Sequence, residues 1–126
     1  MKLNHECVRE LMLLIEESLN YSVYIDTKVV EIKGFTTEEI VYTADKLLEA
    51  GYITANRHAY LGGDHIPQID ILSITWEGHK FLDTVRDNKV WKSTKSIISK
   101  FSSVSITMIE NIASNVIVEI IKSQLS

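Results

Sequence analysis

One segment, residues 74–95, constrains the fold of this chain more than any other. It reads ITWEGHKFLDTVRDNKVWKSTK and concentrates two tryptophans, a phenylalanine, a glycine and alternating acidic and basic side chains. Thr75 is a good helix N-cap, because its hydroxyl can accept a hydrogen bond from a first-turn N–H. Apolar residues then follow at roughly helical spacing, at Trp76, Phe81, Leu82 and Val85. We therefore predict a helix that begins after Thr75 and buries this stripe.

Gly78 stands inside the predicted helix, where glycine costs about 1 kcal/mol relative to alanine. A glycine there predicts the close approach of another backbone. His79 and Asp83 lie four residues apart on the same helix and resemble a base with its orienting carboxylate. We interpret the pair as structural, because the helix should pack on the core. The chain has no nucleophile elbow, P-loop, dinucleotide loop or zinc spacing, so we expect no enzyme, no cofactor and no metal.

Two stretches carry a resemblance to known proteins. The string from Ile74 to Asp87, followed by Trp91 and Lys95, resembles the signature of a domain-of-unknown-function family of short bacterial and prophage proteins. Its Thr-x-x-Gly core, together with LLEAGYI at residues 47–53, is similar to parts of winged-helix proteins. The resemblance implies a winged-helix fold and a phage-linked context, but no reaction. The family often has Tyr-His where this chain has Tyr42-Thr43, so any role of that histidine is absent here.

Periodicity and turn residues predict the order of elements before residue 74. We expect a helix over His5–Leu19, one or two short strands around Asp26-Thr27 within Tyr21–Ile32, a helix from Thr36 or Thr37 to Ala50, and strands over Tyr52–Tyr60 and Gln68–Ile74. The spacing Thr36-x-x-Glu39 predicts a capping box at the start of the second helix, and Gly51 is expected to stop that helix. The last two strands would form a hairpin with a wing-like turn at residues 61–65. A standard helix-turn-helix has a short second helix where this chain has the extended stretch, which weakens a DNA-binding interpretation. The predicted class is α+β of winged-helix type.

The C-terminal part differs in composition from the rest. We place a winged-helix-like domain at residues 1–95 and a helical extension at 96–126. A short helix and a break near Ser102 should precede a last helix, capped by Thr107 and ending near Ser123. Its wide apolar stripe cannot be stable alone in water, so we predict a homodimer through this helix, with packing within the chain as the alternative. A membrane surface is disfavoured because few basic residues border the stripe. The candidate dimer interface comprises Ile109, Ile112, Val116, Ile117, Ile120 and Ile121.

Charge bears directly on function. The net charge of the chain is −4, and residues 1–50 carry 5 basic against 10 acidic side chains. DNA-binding proteins usually present a basic face, because phosphate neutralisation supplies much of their affinity. The candidate contacts to double-stranded DNA are Tyr42, Thr43, Lys46, Arg57, His58, Tyr60 and His65. Two hypotheses remain open: a DNA-binding regulatory protein, or an interaction module for a host or phage protein that has lost DNA binding.

Histidine and cysteine placement suggests no metal centre. His58 and His65 would meet across the hairpin, but no carboxylate or cysteine stands at ligand spacing beside them. Cys7 is the single cysteine, which excludes an internal disulfide and fits a reducing cytoplasm. The N-terminus lacks the apolar region of a signal peptide, so we expect a cytoplasmic protein.

Overall fold

A computed structural model of the chain describes residues 1–20, 23–58 and 66–125. In chain order its elements are α1 (His5–Ser18), β1 (Ile25–Asp26), α2 (Thr37–Glu49), β2 (Ile53–His58), β3 (Gln68–Ile74), α3 (Trp76–Val85), α4 (Asn88–Ile98) and α5 (Ile106–Leu125). The predicted α+β class is confirmed. The chain forms two compact units, Met1–His79 (unit 1) and Lys80–Ser126 (unit 2). The predicted division at residue 95 stays a prediction.

Helix α1 begins as predicted. The side chain of Asn4 accepts hydrogen bonds from the backbone N–H groups of Glu6 and Cys7, at 2.9 and 3.1 Å. Such a cap satisfies donors that have no partner within the helix. The apolar side chains that recur along one face of α1 are fully buried: Cys7, Val8, Leu11, Met12 and Ile15. Helix α1 therefore supplies one wall of the core of unit 1.

Helix α2 carries the predicted capping box. The Thr36 hydroxyl accepts from the Glu39 N–H at 3.1 Å, and the Glu39 carboxylate accepts from the Thr36 N–H at 3.1 Å. Ile40, Val41, Ala44 and Leu47 are buried on its inner face. Gly51 follows the helix with a φ of 80°, the left-handed conformation that favours glycine. Both ends of α2 are thus set by local sequence.

Three strands in the described part of unit 1 form an antiparallel sheet in the order β1-β3-β2. Strand β3 has the predicted bounds and is central, with Ile69 and Ile71 fully buried. Strand β2 pairs with it from Ile53 opposite Ile74 to His58 opposite Gln68. Within the described part of the extended stretch before α2, Ile25 and Asp26 pair with β3, where a short strand was predicted. The side-chain hydroxyl of Thr27 also donates to the Ile69 carbonyl at 3.0 Å.

Thr75 caps α3 as expected, since its hydroxyl accepts from the Gly78 N–H at 3.1 Å. Phe81, Leu82 and Val85 are buried. The prediction that Trp76 belongs to the buried stripe is wrong, because its side chain is 79% exposed. Trp76 is the first residue of the helix, and at about 100° per residue it lies on the opposite side of the helix from Val85.

Unit 2 contains a pair of packed helices, α4 and α5. Asp87 caps α4 by accepting from the N–H groups of Lys89 and Val90. The cap of α5 was predicted two residues too late, because the hydroxyl of Ser105, not that of Thr107, accepts from the Met108 N–H at 3.1 Å. The break between the two helices lies at residues 99–105, as predicted.

Candidate nucleic-acid interface

The outer face of α2 would be the reading surface of a winged-helix protein. Lys46 is its one basic residue, and the lysine Nζ lies 2.6 Å from Glu49 Oε2. This hydrogen bond raises the pKa of Lys46 above its ordinary value. The same ammonium lies 5.4 Å from the centre of the Tyr42 ring. The Lys46 ammonium therefore already contacts the Glu49 carboxylate and the Tyr42 ring, which belong to its own helix.

Thr43 was predicted on this outer face, and that prediction is wrong. Its side chain is buried, with 2% exposure. The hydroxyl donates to the Glu39 carbonyl at 2.7 Å and lies 3.3 Å from the thiol of Cys7. A threonine can satisfy its hydroxyl on the preceding helical turn, which allows it to face the core. Thr43 is thus unavailable to a DNA backbone.

Strand β2 carries the other basic candidates. Arg57 Nε donates to Asp45 Oδ1 of α2 at 3.1 Å. His58 Nε2 lies 2.8 Å from Oδ2 of Asp70, which stands on the neighbouring strand β3. Tyr60 and His65, the remaining candidates, lie outside the described residues. Each described basic candidate therefore lies against a carboxylate of its own unit.

Two of these candidates, Tyr42 and Arg57, line one cleft in unit 1. It has a volume of about 540 Å³, and its lining residues are Met1, Glu38, Val41, Tyr42, Asp45, Arg57, Ile66 and Pro67. The charged groups of this lining are the carboxylates of Glu38 and Asp45 and the guanidinium of Arg57. The rest of the lining is apolar or aromatic. Such a cleft suits a ligand with apolar groups and a positive charge better than it suits a phosphate.

The net charge of unit 1 supports the same conclusion. Residues 1–79 contain 6 basic and 13 acidic side chains, a net charge of −7, whereas residues 80–126 contain 7 basic and 4 acidic side chains, a net charge of +3. A polyanion approaching unit 1 would meet a field of its own sign.

Sequence reasoning missed the acidic partners. Asp70 was recoverable in principle, because a hairpin register places residues of β2 beside those of β3. Asp45 was not, since its contact with Arg57 joins a helix to a strand and depends on how the two pack. By its spacing on the helix, Asp83 could meet either His79 or Arg86. It pairs with Arg86 at 2.8 Å, and Nδ1 of His79 lies 3.9 Å from Glu16 Oε2.

The predicted dimer residues differ in their availability. Ile109 is fully buried within the chain, so its assignment to a dimer surface is wrong. Ile120 and Ile121 are exposed. The others, Ile112, Val116 and Ile117, are partly exposed.

No described helix combines the length and apolarity that crossing a bilayer requires. Within the described residues, no group of three or more histidine, cysteine, aspartate or glutamate side chains is arranged to hold a metal ion.

Comparison with known proteins places the chain in a family. The model of a family described as "Hypothetical protein (DUF2513)" matches residues 2–105. A protein of Haemophilus influenzae named "Uncharacterized protein" is 30% identical over 122 residues, which cover 93% of this chain and 96% of the relative. No solved structure gives a significant match to the chain. The family match covers most of the sequence and agrees with the resemblance carried by residues 74–95, and we conclude that the chain belongs to the DUF2513 family.

Proposed function

We propose that unit 1 is a protein-interaction module of winged-helix type that does not read DNA. The order helix, strand, helix, hairpin and the sheet order β1-β3-β2 support the winged-helix assignment. One observation carries the functional part. The described basic residues that would contact phosphate, Lys46, Arg57 and His58, each lie against a carboxylate.

The strength of these pairs alone does not exclude DNA. Exposed ion pairs are worth about 0–1 kcal/mol, so a phosphate could compete for each cation. A phosphate that displaced the carboxylates of Glu49, Asp45 and Asp70 would, however, leave three negative charges beside the DNA. Because the net charge of unit 1 is −7, the long-range field adds to this penalty.

The ligand class follows from the cleft between α2 and the hairpin. Glu38 and Asp45 supply negative charge, Tyr42 supplies a ring face, and Val41 and Pro67 supply apolar surface. A lysine or arginine side chain flanked by apolar residues is complementary to this lining, because cations bind both carboxylates and ring faces. The proposed partner is therefore a basic, apolar segment of another protein.

Peptide selection on the immobilised full chain tests this proposal. We expect selected peptides to be enriched in lysine or arginine beside apolar residues, and to bind at least about tenfold more weakly to Glu38→Gln/Tyr42→Ala. The matched control is Glu31→Gln, an exposed acid outside the cleft lining. Selection of acidic peptides, or equal loss in the control, would contradict the proposal.

DNA binding by a phage-associated regulator is the second candidate. The element order of unit 1 favours it, since this order is that of DNA-binding winged-helix proteins. It predicts a salt-sensitive mobility shift with duplex DNA that is lost when Arg57 and Lys46 are neutralised.

A further inference from the structure

Strand β2 forms one edge of the sheet in unit 1. Among the described strands it pairs with β3 alone, and none lies on its other side. The side chains of Thr54, Asn56, Arg57 and His58 on this strand are exposed. An edge strand presents a row of backbone N–H and C=O groups to which a further extended segment can form hydrogen bonds.

The pairing of β3 with its two neighbours shows which backbone groups of β2 face the free edge. The N–H of the residue that follows β1 donates to the Ile69 carbonyl at 3.1 Å, so the backbone groups of Ile69 point toward β1. Because this direction alternates along a strand, Asp70 points toward β2 and bonds to Asn56, which stands opposite it. The neighbours of Asn56, Ala55 and Arg57, therefore direct their N–H and C=O groups away from β3, to the free edge.

The side chains of Ala55 and Arg57 lie on the inner face of the sheet. The two residues stand opposite Ile71 and Ile69, which are fully buried, and residues that stand opposite each other share a face. Arg57 Nε also donates to Asp45 Oδ1 of α2 at 3.1 Å. Helix α2 therefore covers this face of β2.

The row of α2 that approaches β2 is acidic and aromatic. Glu38, Tyr42 and Asp45 are spaced four and three residues apart, so they follow one another along one side of the helix. Together with Arg57 they line the cleft of unit 1. An extended segment that paired with the free edge of β2 would direct every second side chain toward α2, and hence toward this row.

We propose that the partner of unit 1 binds as an added antiparallel strand on the free edge of β2. A lysine or arginine of the partner points toward α2, and apolar residues stand two positions away on either side of it. These inward residues bond to the backbone groups of Ala55 and Arg57, while the residues between them lie beside the polar side chains of Thr54 and Asn56. The inference rests on the function proposed for unit 1 and specifies the conformation and sequence pattern of its partner.

Two other occupants of the edge fit less well. The net charge of unit 1 is −7, so two copies of unit 1 that met edge to edge would repel each other. A charged side chain on an edge strand, here that of Arg57, also disfavours pairing between copies. A helical partner would bring its cation and apolar residues together at a spacing of three or four and would leave the backbone groups of the edge without a protein partner.

Two peptides of identical composition test the sequence pattern. In Thr-Val-Thr-Lys-Thr-Val-Thr the valines stand two positions from the lysine, whereas in Thr-Thr-Val-Lys-Val-Thr-Thr they stand directly beside it. In titrations of the full chain followed by NMR, the first peptide should bind at least about tenfold more tightly, because only its valines point toward the cleft with the lysine. The Glu38→Gln/Tyr42→Ala variant should remove this advantage.

The outcomes separate this inference from the function on which it rests. Equal binding of the two peptides, each weakened by the double substitution, would overturn the added strand and leave the proposed function standing. Binding of neither peptide would also overturn the added strand, while selection of basic peptides without the alternating pattern would still support the proposed function.

N-methylation of the first peptide tests the backbone pairing. In the antiparallel arrangement its valines and lysine donate their N–H groups to β2, whereas the threonine N–H groups point away. N-methylation of both valines should therefore weaken binding at least about tenfold, and N-methylation of the two threonines that flank the lysine should change it by less than about threefold. Equal effects, or the reverse order, would overturn the proposed pairing.

Amide hydrogen exchange reports the same pairing from the protein side. With the first peptide near saturation, the amides of Ala55 and Arg57 should exchange at least about tenfold more slowly than in the free chain. The amides of Asn56 and His58, which face β3, are the matched controls on the same strand and should change less. Equal protection of the four amides, or protection of none, would contradict the added strand.

Discussion

Gly78 of α3 lies against the backbone carbonyl oxygen of Tyr52, so closely that a Cβ at position 78 would overlap that oxygen. The same carbonyl accepts the backbone N–H of Thr75 at 3.0 Å. The chain after α2 and the first turn of α3 are thus in direct backbone contact. Gly78 is required for its lack of a side chain, not for a special backbone conformation.

Gly78→Ala is therefore expected to destabilise the protein. Alanine would gain about 1 kcal/mol of helix propensity, but relief of the overlap must move backbone atoms, and we expect a net loss of about 2–4 kcal/mol. Urea denaturation measures the change. Ser96→Ala, at an exposed position inside α4, is the control and should shift the free energy of unfolding by less than about 0.5 kcal/mol. A neutral or stabilised Gly78→Ala protein would show that the contact is looser than described.

Thr75 joins the same two segments through its side chain. Its hydroxyl donates to the Gly51 carbonyl and accepts from the Gly78 N–H. Thr75→Val keeps the shape of the side chain but loses both hydrogen bonds, so we expect a loss of about 1.5–3 kcal/mol in the free energy of unfolding. Thr75→Ser keeps the hydroxyl and should lose less than about 1 kcal/mol. Equal losses in the two variants would assign the effect to the methyl group instead.

The two tryptophans lie in opposite environments. Trp76 is exposed, whereas Trp91 is 4% exposed. Trp91→Ala should cost about 3–5 kcal/mol in the free energy of unfolding, while Trp76→Ala should change it by about 0.5 kcal/mol or less. In single-tryptophan variants, acrylamide should quench the fluorescence of Trp76 and leave that of Trp91 largely unaffected. Equal quenching of both would contradict the described burial.

Cys7 gives a prediction about pH. Burial raises the pKa of its thiol above the ordinary value of 9.0, the Thr43 hydroxyl lowers it, and the charge of Glu39 raises it. The folded chain therefore holds the thiol proton more tightly than the unfolded chain does. This contribution to stability is complete below the unfolded pKa and is lost as the pH rises through the folded pKa.

Urea denaturation of the wild type and Cys7→Ala at about pH 7 and about pH 10 checks this prediction. The wild type should lose more stability between the two values than the variant, after the constant cost of the substitution is subtracted. If the wild type and the variant lost the same amount of stability between the two pH values, the Cys7 thiol would not contribute to the loss of stability at high pH.

Local signals were sufficient for much of the fold. The Thr36–Glu39 capping box, the turn at Gly51 and the close approach at Gly78 were all predicted, because each depends on a few adjacent residues or on one residue type. Within residues 21–32, the sequence predicted one or two short strands around Asp26 and Thr27 without fixing their ends. Apolar alternation indicates an extended chain, but only pairing with β3 decides how much of it becomes a strand.

The sequence predicted the candidate site less well than it predicted the fold. Thr43 and Ile109 were placed on the surface and are buried, because neighbouring helices cover them and helical periodicity does not show which flank is covered. The Arg57–Asp45 pair joins β2 to α2 across twelve residues. The net charge of unit 1, by contrast, follows from the sequence alone, since total charge does not depend on the packing of the elements.

Binding of fluorescent duplex DNA to the full chain at about 50 mM salt tests the central claim most directly, because low salt strengthens any phosphate contact. A mixed-sequence duplex titrated with wild-type protein should show no saturable rise in anisotropy, with any dissociation constant weaker than about 10⁻⁴ M. The Asp45→Asn/Glu49→Gln variant, which frees two cations, should bind better than the wild type. Saturable wild-type binding that falls with salt and disappears on neutralisation of Lys46 and Arg57 would contradict the account.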